Sequence, residues 1–147
     1  MSCDIHVHTE VKINGKWVTY GTPEIEGDYR LFHKMAGVRP CDLYEADVPI
    51  CDPKGFPDDA SELAQIHFDY WGTDAHSASW FTAEEIHQLS AWVEENMKWR
   101  TERDRIYGFE GLFGHFFGDG WAGWLDYPEE RRIAVVEDIR FVFWFDN

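Results

Sequence analysis

At 147 residues the chain fits one domain, spanning 1–147, large enough to bury a core without disulfide staples. Its net charge of −15 comes without clustered Lys or Arg, which excludes direct binding of a nucleic-acid backbone. No apolar stretch reaches bilayer length, the opening Met-Ser-Cys-Asp-Ile-His lacks an export leader, and three cysteines at 3, 41 and 51 read as reduced thiols, so a cytoplasmic location away from membranes is expected.

Residues 4–13 alternate by parity. Ile5, Val7, Thr9, Val11 and Ile13 fall on one side of an extended chain, and Asp4, His6, His8, Glu10 and Lys12 on the other. This predicts a strand with one face on a core and a second face carrying a row of imidazoles and carboxylates. Cys3 shares the parity of the apolar side and is expected in the core. Asn14-Gly15 tolerates positive φ and predicts a hairpin into a second strand, Lys16–Tyr20.

Tyr29–Ala36 reads as a short helix stopped by Gly37, with Pro40 beyond. Residues 37–57 show little periodicity and are expected to form an irregular loop. Asp58 or Asp59 then caps a helix running to about Tyr70. Trp71–Trp80 reads as a polar loop. Thr82 and Glu85 form a capping box for the longest helix, about Ala83–Arg100, whose stripe Ile86, Leu89, Val93 and Met97 should face the core. Trp92 and Trp99 lie off the centre of that stripe, so either the stripe is wide or they meet a partner.

Aromatic residues make up 17% of the chain, and residues 108–124 interleave them with glycine around His115 and Trp121. Ring faces there could stack on a base, or simply complete the core. A short helix is expected after Tyr127, opened by Pro128. Asp138–Asp146 alternates Ile139, Phe141, Phe143 and Phe145 with Arg140, Val142, Trp144 and Asp146, a strand apolar enough on both faces to be central or covered. The expected fold class is α+β: a small antiparallel sheet, made by the N-terminal hairpin plus the C-terminal strand, packed on one side by several helices, with long irregular loops.

Two elements carry the chemistry. Alternate strand positions bring His6, His8 and Glu10 near enough to share a divalent ion, and neutral imidazole with carboxylate suits zinc or manganese. A metal-free acid–base or binding role and an ordinary polar sheet face stay open beside it. In Gly72-Thr73-Asp74-Ala75-His76-Ser77 a carboxylate and an imidazole alternate again. His33, His67 and His87 fall in expected helices, where a surface or core role is commoner than ligation. No P-loop, G-x-S-x-G or G-x-G-x-x-G is present.

Asp4-Ile5-His6-Val7-His8-Thr9 resembles the opening metal motif of the polymerase-and-histidinol-phosphatase phosphoesterases, and Gly72–Ser77 resembles their closing one. The resemblance implies metal roles for His6, His8, Asp74 and His76. The layout of Cys3–His6, Met35–Arg39, Gly55–Asp59, His76–Trp80 and Phe143–Asn147 is also similar to small proteins found in phage and bacterial genomes. A phage setting implies interference with host defence, including capture or destruction of nucleotide signals.

The leading expectation is a metal-dependent hydrolase of a small phosphoester or nucleotide-like molecule. His6, His8, Glu10, Asp74 and His76 would hold zinc or manganese. Glu10 and His76 would serve catalysis, while Trp71, Trp80, His115 and Trp121 would face the ligand. The alternatives are a non-catalytic sponge for a small anionic, nucleotide-like signal and an acidic interaction protein that inhibits a host factor. The partner then ranges from such a ligand to a host protein or a second copy of the chain.

Overall fold

The computed structural model describes residues 2–25, 27–44, 46–99 and 136–147. Strand β1 (Asp4–Ile13) turns into β2 (Lys16–Gly21) through Asn14 and Gly15, at φ 52° and 75°. Positive φ at both central turn positions matches the right-handed twist of the flanking strands. Between Thr9 and Glu10 the β1–β2 register slips by one residue, so Thr9 faces Gly21 and Glu10 faces Thr19.

Strand β4 (Asp138–Asp146) runs antiparallel along the other side of β1, with Asp4 opposite Asp146 and Lys12 opposite Asp138. A further strand, β3 (His76–Thr82), pairs with β4, giving the order β2-β1-β4-β3. The expected α+β class with a small antiparallel sheet is what the chain forms, and β4 is central in it. The fourth strand replaces most of the loop expected at Trp71–Trp80. Its alternation is masked because a bulge between His76 and Ser79, with Ser77 at φ 53°, breaks the period of two.

Helix α1 (Tyr29–Ala36) is capped by Asp28, whose side chain accepts from the Arg30 and Leu31 N–H groups, and ends at left-handed Gly37. Helix α3 (Ala83–Asn96) opens with the expected Thr82–Glu85 capping box and stops earlier than Arg100. Helix α2 (Glu62–Trp71) is capped by Ser61 rather than Asp58 or Asp59. Asp59 is drawn instead to the Arg140 guanidinium.

The helices lie on both faces of the sheet, not on one. Against one face α1 and α3 bury Leu31, Phe32, Met35, Ile86, Leu89 and Val93 on Ile5, Val7, Phe81, Phe141, Phe143 and Phe145. Cys3 joins this core as expected. Trp92 packs at its rim with Arg30 and Lys34 over the ring, so the α3 stripe is wide there, whereas Trp99 is exposed. Helix α2 covers the other face, the one bearing His6, His8 and Glu10. Among the described residues no helix is long and apolar enough to cross a membrane. The glycine-aromatic segment 108–124, with His115 and Trp121, and the helix expected after Tyr127 lie outside the described residues.

Candidate functional site

Directly paired residues of neighbouring strands share a face. His6, His8 and Glu10 therefore stand with Trp144, Val142 and Arg140 of β4, as their register dictates. Above them α2 turns one stripe inward: Ala64, His67, Phe68 and Trp71, spaced i, i+3, i+4, i+7. The Trp144 ring lies at the centre of this layer, 5.6 Å from His6, 5.7 Å from His8, 4.9 Å from His67 and 5.3 Å from Phe68. The middle of the row is thus buried, with Glu10 at 0% and His8 at 1% exposure.

Buried imidazoles need partners, and the donors set the direction of each bond. An indole N–H only donates. Trp71 Nε1 lies 3.3 Å from His67 Nε2, so that nitrogen accepts and the His67 proton sits on Nδ1. His67 Nδ1–H donates to His8 Nε2 at 2.9 Å, and His8 Nδ1–H to Thr19 Oγ1 at 3.0 Å. The Thr19 hydroxyl is in turn hydrogen-bonded to the Ser61 hydroxyl, and either can donate. Ser61 Oγ also accepts the Ala64 N–H at 3.1 Å. Burial, reinforced by the adjacent His67 and His6, pushes His8 down to about 4, so it is neutral at pH 7 as this chain of bonds requires. His67 is lowered too, first by burial and then by His6. His6 donates Nε2–H to Asp146 at 2.6 Å, with the Trp71 ring 4.5 Å away.

At the other end of the row Glu10 and Arg140 form a buried ion pair. Glu10 Oε1 accepts from Arg140 Nε at 2.6 Å, and Oε2 accepts from the Ser61 backbone N–H at 2.7 Å. Arg140 also donates to the Asp59 carboxylate at 2.9 Å and carbonyl at 3.3 Å. Its guanidinium carbon lies 4.0 Å from the Trp17 ring centre and 6.0 Å from that of Trp80. Burial raises Asp59, but the hydrogen bond and charge of Arg140 outweigh it and hold the carboxyl below its ordinary value.

Where β2 meets the start of α2 the surface opens into a cleft of about 710 Å³. Thr19 and Ser61, the end of the hydrogen-bond chain, are in its wall. Trp17, Val18, Leu63 and Ile66 supply apolar surface, and Lys16, Asp59 and Glu62 supply charge. The inward stripe of α2 has an outward counterpart: Leu63, Ile66 and Tyr70 are 54%, 60% and 80% exposed.

The expected site residues part company in this arrangement. His6 and His8 stand side by side on the α2 face. His76 is opposite Phe145, its ring stacked on Phe145 at 6.1 Å, and so projects from the other face of the sheet. Asp74 is exposed in a 3-10 turn, Gly72–Asp74. Both oxygens of Glu10 are engaged by Arg140 and Ser61, which removes it as a free ligand or general base. These five side chains do not converge on one zinc or manganese ion, and the described residues contain no group of three or more His, Cys, Asp or Glu disposed to hold a metal. Trp71 packs on His6, whereas Trp80 stands beside Arg140 with Lys54 Nζ 4.0 Å above its ring.

Three central residues escaped the sequence reading: Thr19, Ser61 and Arg140. His67, expected at the surface or in the core, shares the 3.6-residue stripe of Ala64, Phe68 and Trp71, and that stripe turns it inward. Arg140 belongs to a polar row on β4 whose antiparallel register sets it opposite Glu10. Comparison of the chain with protein-family models, with curated proteins and with solved structures finds no match.

Proposed function

We propose that this chain is a non-catalytic binding protein that captures a basic, apolar-anchored segment of another protein in the cleft between β2 and α2. The observation that carries this reading is the outward stripe of α2. Three large apolar side chains at i, i+3 and i+7 stand 54–80% exposed on a helix whose inner face is already packed. Contiguous exposed apolar surface of this kind marks an interaction site. Exposed Asp58, Asp59, Glu62 and Asp69 flank the stripe, and the whole chain carries −15. That charge attracts a basic partner and repels a second copy.

The test is capture from host extract by wild-type protein and by a Leu63→Asp/Ile66→Asp double variant. The wild type should retain a basic partner, release it in high salt, and lose it with the double variant. Equal capture by both proteins would refute the reading.

A second reading, the nucleotide sponge, is favoured by one observation: the Thr19 and Ser61 hydroxyls lie in the wall of the cleft, where a small polar ligand could hydrogen-bond. Mass spectrometry of a nucleotide mixture incubated with the protein separates the outcomes, since a sponge returns its ligand intact on denaturation. A phosphoester hydrolase gains no support from the placement of His6, His8, Glu10, Asp74 and His76; stoichiometric metal together with phosphate release would restore it.

A further inference from the structure

At the end of the sheet remote from the cleft, where Asp4 pairs with Asp146, a separate group of donors is gathered. Arg39 Nη2 lies 3.4 Å from the Asn147 side-chain oxygen, and His76 Nε2 lies 3.2 Å from the same atom. A guanidinium only donates, so the Asn147 atom is an acceptor and His76 Nε2 carries a proton. His76 Nδ1 is then free to accept from the Ser77 hydroxyl, 3.1 Å away. One guanidinium N–H and an imidazole N–H therefore converge on one neutral amide oxygen at the surface.

Among the described residues three non-glycine positions have positive φ. Asn14 belongs to the hairpin, and the other two are Arg39 at 55° and Ser77 at 53°. Arg39 itself contacts the Asn147 oxygen, and Ser77 follows His76, which does. The Arg39 guanidinium lies 5.5 Å from the Tyr29 ring centre, and the His76 ring stacks on that of Phe145. The neighbouring Asp146 carboxylate is engaged by His6.

We propose that this corner is a binding site for a phosphate group, one of whose oxygens replaces the Asn147 amide between Arg39 and His76. A charged oxygen is the stronger acceptor for both donors, and a guanidinium fork suits a tetrahedral oxyanion. The general field of a −15 chain is repulsive, so the attraction is confined to these two side chains. The site is independent of the cleft and of what the cleft holds.

Titration of the full chain at constant pH with inorganic phosphate, and separately with a nucleoside monophosphate, followed by NMR of the Arg39 and His76 side chains, tests this. Saturable shifts at both residues are expected. Tighter binding of the monophosphate would identify an esterified group as the source, and equal binding would identify free phosphate. Arg39→Lys keeps the charge but loses the fork, and should weaken binding about tenfold. Asn147→Ala removes the competing oxygen and should hold or tighten binding, in a side chain too exposed to threaten the fold. Absence of saturation at millimolar phosphate, or shifts that persist unchanged in Arg39→Lys, would overturn the proposal.

Discussion

Both faces of the sheet hold side chains fully hidden from water, and the two are held by different physics. On the α1–α3 face Phe141, Phe143 and Phe145 are 0% exposed and belong to the apolar core cluster. On the α2 face Glu10 is also 0% exposed, yet it sits among two histidines, an arginine and two hydroxyls. Apolar contact is non-directional, and its strength follows area. Polar burial is favourable only where every donor meets an acceptor. Losing one side chain on the first face leaves a cavity, whereas on the second it strands a partner.

Substitutions that remove one member of a pair probe this difference most strongly. Arg140→Ala leaves the Glu10 carboxylate buried and unpaired, and urea denaturation should register a loss of about 3–5 kcal/mol. The double change Glu10→Leu/Arg140→Met should recover much of that loss. Phe143→Ala should cost about 3–5 kcal/mol as well, with no second substitution able to repair the cavity. If the charged pair were no more coupled than the phenylalanines, the contrast between the faces would fail.

Acid should discriminate the faces next. His8 titrates near 6.5 in the unfolded chain and at about 4 in the folded one, so between these values the unfolded state binds more protons. Stability is complete above pH 6.5 and is lost as pH falls toward 4, by roughly 3 kcal/mol in all. Denaturation midpoints measured across this window should flatten in His8→Gln, and a variant of the phenylalanine face should leave the slope intact. A smaller comparison uses the two caps. Thr82→Ala removes a cap beside the apolar face and should cost about 1 kcal/mol. Ser61→Ala removes a cap and also one hydrogen-bond partner of Thr19, so its loss should reach about 2 kcal/mol. Thermal melts of the two single variants decide whether the hydrogen-bond chain adds to capping.

Most of the apolar face could be read from residue order alone. Parity placed Ile5, Val7 and Val11 inward, Asn14-Gly15 marked the hairpin, Gly37 ended α1, and the Thr82–Glu85 box opened α3. Each of these signals is local. The polar face was legible only in part: the row His6, His8 and Glu10 stood out, but its use did not. Glu10 and Arg140 are 130 residues apart, and their pairing follows from strand register rather than from any short pattern. The two histidine motifs looked like one site because spacing does not reveal on which side of β4 each of them lands. Strand β3 was missed because its bulge breaks the alternation by which strands are recognised.

The placement of β4 also governs how the protein can assemble. His6 and Asp146 are 140 residues apart in sequence, yet they sit on adjacent strands. Until residues 138–146 arrive, the β1–β2 hairpin and β3 have no shared neighbour, and each presents an unpaired backbone edge. Closing so long a loop precedes most of the reward in contact energy, which makes folding slow relative to a helical protein of this size. Synthesis or refolding that stalls before that strand docks would expose β1 on both its imidazole and its valine side, a surface suited to mispairing with other chains.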